Sequence, residues 1–496
     1  MLTLVGIAMR TVALAFNAFI SRTVGAEGVG LYTVVNNAYG FAVTFATAGI
    51  SLTVTRLVAE ARGRGSEREV SRTLTGAVIY VLAFSIAATL VLYFGAGVIA
   101  RTLLGEPRAA ISLRILAPSL IPLSLVSVFS GYFIGVRRVA KNALVQILGQ
   151  ALRISATAWL LLHSRALTPE DSARYLSVGV TLTEVACFAV MLVQLCIERR
   201  GSERAGFDRD GIADVGRAAI PLALSAYVRQ ALLTVEHAII PRRLCDSGLS
   251  PSAALSAYGI LHGMALPVIL YPLVTLSSFA GLLVPEFAQR RALGDKEGME
   301  RLCTKSLGAT LTYAMLAGGI LFIFSEELGY VIYGSHEAGM HIAVLSAVVP
   351  LMYLDHVTDS ILKGIGEQVY SMWVNVTDSL LSIVLVWLLI PRLGILGYAV
   401  CIIVMEAYNF VLSIIRLGRR IRIRINVMRC VILPLLASLA SSWLVRTLFI
   451  RAGSTASPLW LAAEIIFAIA AYVLVTSVSE VLVSSYKSKH LTVRGA

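Results

Sequence analysis

TLTGAVIYVLAFSIAATLVLYFGAG, Thr73–Gly97, runs for 25 residues without one charged side chain. As an α-helix it is about 38 Å long at 1.5 Å per residue, enough to cross a hydrocarbon core of roughly 30 Å. Windows of the same kind lie near 2–24, 31–55, 111–135, 143–163, 173–197, 214–238, 253–284, 306–324, 341–362, 369–390, 395–417, 427–450 and 458–483. With the first they predict an all-α membrane protein of about 14 transmembrane helices. The composition agrees: 57% of the 496 residues are hydrophobic and 14% charged, against roughly 25% charged in a soluble domain. The connections are too short to hold a soluble catalytic domain, so no enzyme is expected.

Lys and Arg concentrate on the even-numbered connections (56–72, 136–142, 198–213, 285–305, 363–370 and 416–429) and on the C-terminal tail. By the positive-inside rule both termini are expected in the cytoplasm of a multi-pass cell-membrane protein. The net charge of +13 is thus a topology signal spread over loops, and no nucleic-acid surface is expected. The first span opens at residue 2 with Arg10 inside it and no basic stretch before it, so it reads as an uncleaved helix. The cysteines at 187, 196, 245, 303, 401 and 430 form no CxxC pair and read as packing residues. No metal-ligand spacing, cofactor motif or GxxxxGK[ST] occurs, and the glycine-rich GAEGVG (Gly25–Gly30) follows a membrane helix where a nucleotide loop needs a strand.

The chain repeats itself. NAFISRTV (Asn17–Val24) and HAIIPRRL (His237–Leu244) both place an arginine, Arg22 and Arg242, after a small residue, 220 residues apart. Gly135, Gln146 and Trp159 recur as Gly364, Asn375 and Trp387, and Ala59 and Gly65 recur as Ala288 and Gly294, at an offset of 228 or 229. An offset of six helices keeps both copies in one orientation, which predicts a pseudo-two-fold axis along the membrane normal. The expected domains are an N-lobe of helices 1–6 (1–200), a C-lobe of helices 7–12 (201–425), and helices 13–14 with a tail (426–496), with a cavity between the lobes.

A charge at the bilayer centre costs about 2.5 to 3.5 kcal/mol, so polar residues inside spans need a partner or a wet surface. Arg10 and Asn17 share a face of the first span, which Arg22 closes; Asn36 and Asn37 lie in the second. Gln146, Gln150 and Arg153 form an i, i+4, i+7 stripe in the fifth. Arg229 and Glu236 are seven apart in the seventh, and Asn375 and Asp378 one turn apart in the eleventh. Asp355 and Asp359, at i and i+4 in the tenth, repel when both are ionised and form a candidate cation or proton site; pairing with an arginine is the competing reading. Glu184, Glu406 and Glu464 read as structural partners. A guanidinium offers a permanently charged fork of donors that suits phosphate, which marks the arginines of spans one, five and seven as candidate substrate contacts.

Four segments, SRTVGAEGVGLY (Ser21–Tyr32), GISLTVTRLVAEARGRG (Gly49–Gly65), SVFSGYFIGVRRVAKNALVQILGQALRI (Ser127–Ile154) and GILHGMALPVILYPLVTLSSFAGLLVPEFAQ (Gly259–Gln289), resemble the stage V sporulation protein B group. That group is part of the polysaccharide-exporter branch of the multidrug/oligosaccharidyl-lipid/polysaccharide flippase superfamily. The resemblance runs over most of spans one to twelve. It implies two six-helix lobes plus two helices, and outward flipping of an undecaprenyl-pyrophosphate-linked saccharide in peptidoglycan, spore-cortex or other polysaccharide synthesis. It carries Arg10, Arg22 and Arg229 over as pyrophosphate contacts, and Arg153 is added on position alone. Asn17, Asn36, Gln146, Gln150, Glu236, Asn375 and Asp378 are the expected polar cavity lining. The family's RGYFQG turn has Ser130 and Ile134 here, and Glu236 stands where Asp is usual. The implied partners are the lipid-linked substrate, membrane lipid and Na+ or H+ as coupling ion, with the chain acting as a monomer. A cation-coupled drug exporter of the same superfamily, which needs an anionic cavity, and a membrane polymerase or ligase of lipid-linked sugars are the alternatives.

Overall fold

The computed structural model describes residues 2–47, 49–164, 168–199, 209–423, 425–451 and 457–493, and all regular structure in them is helical. Helix α1 (Leu2–Thr47) is broken at Gly25, whose φ of 76° and ψ of 171° lie outside any helix, and α2 (Ile50–Gly63) follows. Helix α3 (Glu67–Val98) ends in a π-helical turn, Ile99–Leu104, before α4 (Ala109–Leu116), α5 (Leu120–Gly135), α6 (Val139–Leu162), α7 (Pro169–Glu198) and α8 (Arg209–Asp246). Helix α9 (Pro251–Tyr258), a π turn (Gly259–Ala265) and α10 (Leu266–Ile269) lead into α11 (Leu273–Ala292). Helices α12 (Lys296–Ile323) and α13 (Ser325–Leu328) end in a second terminal π turn, Gly329–Tyr333. Then come α14 (His336–Ser346), α15 (Val349–Gly364), α16 (Gln368–Leu393), α17 (Ile395–Arg420), α18 (Leu433–Arg451) and α19 (Pro458–Val493).

The helix starts are chemically marked. Ser66, Thr168, Ser250, Asp295 and Ser335 each accept a hydrogen bond from the main-chain N–H three residues on, satisfying a donor that the first turn leaves free.

Among the described residues, 11 helices are long and apolar enough to cross a membrane, or up to 13 if each of two bent pairs counts as one span. The bends are 50° between Asp210–Pro221 and Ala226–Asp246, and 57° between His336–Ser346 and Val349–Gly364. Fourteen were expected, and the difference lies at the start. Ala8–Gly63 counts as one stretch of 56 residues, yet at 1.5 Å per residue it measures about 84 Å, far more than one crossing. It contains both the expected second span and most of the first, with Gly25 between them. Exposed Phe94, Trp159, Trp373 and Leu459 form an exterior that suits lipid, where only a helix with its backbone bonds closed internally is stable.

By contacts the chain divides into two compact units: 1–22 with 260–378 and 396–496, and 23–259 with 379–395. In the second, Ile50, Val54 and Val58 of α2 pack with Phe129 and Phe133 of α5 and Met191 of α7. A Cβ on Gly135 would stand 2.9 Å from the Thr55 carbonyl oxygen and 3.1 Å from Val58, so α5 and α2 touch through that glycine. The first unit repeats the contact: a Cβ on Gly364 would stand 2.8 Å from both the Val284 carbonyl oxygen and Phe287. All three pairs of positions differ by 229.

One crossing joins the two copies of the repeat directly. A Cβ on Gly30 would stand 2.0 Å from the Leu255 carbonyl oxygen, and one on Gly259 would stand 2.3 Å from that of Ala26. Gly30 and Gly259, like Ala26 and Leu255, are again 229 apart. Residue i meeting the equivalent of j while j meets the equivalent of i is the signature of a two-fold axis. The second helix of each repeat therefore crosses its counterpart at the pseudo-two-fold.

Candidate functional site

In the unit containing 23–259, Arg153 is drawn into a local network. Its Nη2 donates to the Tyr32 hydroxyl at 3.0 Å, Glu184 lies within its electrostatic reach, and the nearby Tyr39 hydroxyl meets Ser119 Oγ at 2.6 Å. On α6 the buried residues are Asn142, Val145, Gly149, Thr157 and Leu161, which leaves Gln146 exposed and Gln150 half-buried beside them. The stripe read from sequence thus divides, and only Arg153 makes a long-range polar contact. Asn36 is exposed, whereas its neighbour Asn37 donates to the Tyr258 hydroxyl at 3.1 Å, which in turn meets His237 Nδ1 at 3.1 Å. Glu236 accepts a 2.6 Å hydrogen bond from Ser382. Arg229 is exposed and has no hydrogen-bond or ion-pair partner among the described residues.

In the other unit Arg10 is likewise exposed and without such a partner among the described residues, while Asn17 buries its Oδ1 unbonded. Arg22 differs from the role expected for it. Its Nε donates to the Ile332 carbonyl at 2.9 Å and its Nη2 to that of Val331, so the guanidinium caps the π turn that ends the ninth span. The four last carbonyls of a helix lack partners within it, and a cation there also suits the helix dipole. Arg242 does the same for the third span, its Nη2 donating to the carbonyls of Arg101 (3.2 Å) and Thr102. Sequence reading saw Arg242 as a repeat mark and missed its contact.

The two carboxylates of α15 do not act as a pair. Asp359 bonds Lys363 one turn on, at 2.5 Å, because an i, i+4 lysine on the same face satisfies it locally. Asp355 keeps a buried Oδ1 without a partner, and its acidic neighbours are Asp359 and Glu406, the latter also within reach of Asp378. Asn375 Nδ2 donates back to the Ser371 carbonyl at 2.8 Å. Asp355, Asp378 and Glu406 thus form an acidic group drawn from three helices, of which sequence reading linked none. No cluster of three His, Cys, Asp or Glu side chains arranged to hold a metal ion occurs among the described residues.

These features define a multi-pass helical membrane protein built from two copies of one bundle, carrying arginines and carboxylates inside its spans. The model of the polysaccharide biosynthesis protein family matches residues 1–291, more than half of the chain, and the chain belongs to that family. Stage V sporulation protein B of Bacillus subtilis (strain 168) is 27% identical over 418 residues, covering 80% of this chain and 78% of that protein. Among solved structures, the lipid II flippase MurJ in an inward closed conformation matches with a TM-score of 0.74 at 12% identity, over 96% of this chain and 97% of that one. An inward-facing multidrug resistance MATE family transporter of the MOP superfamily matches with a TM-score of 0.62 at 16% identity, over 84% and 97%. The fold is that of the transporters of this superfamily.

Proposed function

We propose that the protein is a flippase, moving an undecaprenyl-pyrophosphate-linked saccharide from the inner to the outer leaflet by alternating access, as a monomer with both termini in the cytoplasm. Its lobes in this reading are 1–200 and 201–425, with 426–496 appended. The observation that carries it is the pair of uncompensated guanidiniums, Arg10 and Arg229, on the first span of each repeat. A polyprenyl tail is at home in lipid, but moving a pyrophosphate unaided would strip it of water at several kcal/mol per charge. Guanidiniums that spend no donors on the protein have them free for that anion. Arg22 and Arg153 have other employment and rank below them, and Asn17, Asn36, Gln146, Gln150, Glu236, Asn375 and Asp378 remain the proposed polar lining. The inside-negative membrane potential favours export of the anion by about 2.3 kcal/mol per charge per 100 mV. The resemblance to stage V sporulation protein B supports a role in peptidoglycan or spore-envelope synthesis.

Accessibility of labelled lipid-linked precursor on each leaflet of proteoliposomes tests this. Arg10→Ala and Arg229→Ala should each slow transfer at least about tenfold while inserting normally. Full transfer in both variants overturns the site. A second reading, a cation-coupled exporter, is favoured by the acidic group of Asp355, Asp378 and Glu406; it predicts that transport collapses without a Na+ or H+ gradient and that Arg10→Ala is harmless.

A further inference from the structure

Arg22 and Arg242 stand at equivalent points of the repeat, and so do the turns they cap. The third span of each repeat ends in a π-helical turn, Ile99–Leu104 and Gly329–Tyr333, followed by a glycine in the left-handed region, Gly105 (φ 70°) and Gly334 (φ 71°). The last residues of the two turns, and the glycines that follow them, are again 229 residues apart. At the first, Arg242 occupies the space a side chain would need: a Cβ on Gly105 would stand 2.3 Å from its Nε. The exchange is reciprocal. The arginine on the first span of copy one caps the third span of copy two, and the arginine on the first span of copy two caps the third span of copy one. The division of the chain says the same, since 1–22 is grouped with 260–378, and the seventh span with 23–200.

We propose that Arg22 and Arg242 are twin latches: the two caps form together when this face of the protein is closed and break together when it opens. The idea rests on the alternating-access reading, in which the two copies move against each other, because bonds reaching from one copy to the other on one face cannot outlast its opening. Two features suit the caps to that task. Each is made of donors on one charged fork to main-chain carbonyls, so it breaks without leaving a carboxylate unpaired. Each carbonyl, at the end of a helix, can turn to water once released. The Gly30–Gly259 crossing lies close by in sequence and has the same reciprocal form.

The test is the coupling between the two caps. Ile332→Cys is introduced into the full-length chain in proteoliposomes, and its modification by a membrane-impermeant maleimide is followed at that residue by mass spectrometry. Arg22→Ala should speed labelling about tenfold, the worth of a charge-assisted hydrogen bond. Arg242→Ala, which touches only the other turn, should speed labelling at Ile332→Cys by a similar factor. Arg242→Lys keeps the charge without the fork and serves where the alanine variant inserts poorly. Labelling that responds to Arg22→Ala alone overturns the proposal and makes both arginines local caps. This readout needs no substrate, so it separates failure of the latches from failure of the flippase reading. Precursor transfer by the same proteoliposomes reports on that reading.

Discussion

The fifth and sixth spans and their repeat counterparts, the eleventh and twelfth, handle buried charge in opposite ways. In the first pair Arg153 donates to Tyr32 at 3.0 Å and Glu184 lies within its electrostatic reach. In the second, Asp378 and Glu406 lie together and are joined by Asp355 of the tenth, with no cation among the groups acting on Glu406. An opposite charge within reach offsets part of the cost of burying a carboxyl. Carboxyl groups crowded together in this way repel when ionised and favour positive charge close by, and for Asp355 the Lys363 ammonium is within electrostatic reach. The repeated architecture therefore does not impose repeated chemistry. One copy keeps an opposite charge within reach of its buried carboxyl, and the other gathers carboxyls from three helices.

The largest effect expected on breaking this contrast is at Arg153. Arg153→Ala leaves Glu184 without its cation in a low-dielectric interior, and the expected loss is about 3 kcal/mol or more of stability. Arg153→Ala with Glu184→Gln should recover most of it, because no buried charge is then left alone. Thermal unfolding of the purified protein in detergent reads both. Unchanged stability in Arg153→Ala, with precursor transfer abolished, would return Arg153 to the substrate contacts.

A smaller effect of the opposite sign is expected at Glu406. Glu406→Gln removes a buried carboxyl that can ionise only against Asp355 and Asp378, and the variant should be more stable than the parent by about 1 kcal/mol in a Na+-free buffer alkaline enough to ionise that carboxyl. A ligand that binds the folded form alone raises its stability with concentration. Added Na+, or acidification if the ion is H+, should therefore raise the melting temperature of the parent and do little for the variant. Equal responses in both would remove the acidic group from any coupling role.

Hydrophobic run length shows the spans because each must match one fixed thickness of hydrocarbon, and the repeat was visible as Gly135 and Gly364 because only glycine permits the approach of two backbones that both copies use. The arginine marks at 22 and 242 were equally visible. What they do was not, since periodicity states which face of a helix a residue occupies and says nothing of which element covers that face. For the same reason Arg153 looked like one of a stripe with Gln146 and Gln150 until α7 and Tyr32 were seen beside it. Asp359 shows the reverse error. Its partner Lys363 stands four residues on, where local geometry alone predicts a bond. The acidic group was the least legible feature, because its members come from three spans and only the packing of those helices brings them together.

The smallest effect sharpens the contrast from outside the membrane. Glu367, in the connection between α15 and α16, accepts hydrogen bonds from Arg416 Nε at 3.1 Å and Nη2 at 2.7 Å and pairs with Arg420 at 2.7 Å. The hydrogen bond from Arg416 is the main reason its carboxyl sits below the ordinary carboxylate value, with the two positive charges adding to it. A carboxyl whose folded-state value is depressed contributes its stability in full above the unfolded value, near 4.5, and loses it as pH falls through the folded one. Glu367→Gln should therefore lower the melting temperature slightly at neutral pH, and the difference should fade below the ordinary carboxylate range. Open to water on one side, the cluster is expected to be worth about 1 kcal/mol or less and to weaken with added salt. Arg153 and Glu184, shielded by helices, should keep their effect at the same salt. If the two sites lose equal fractions in high salt, the Arg153 pair is wet, and the inference that one copy of the repeat has made its charge purely structural fails with it.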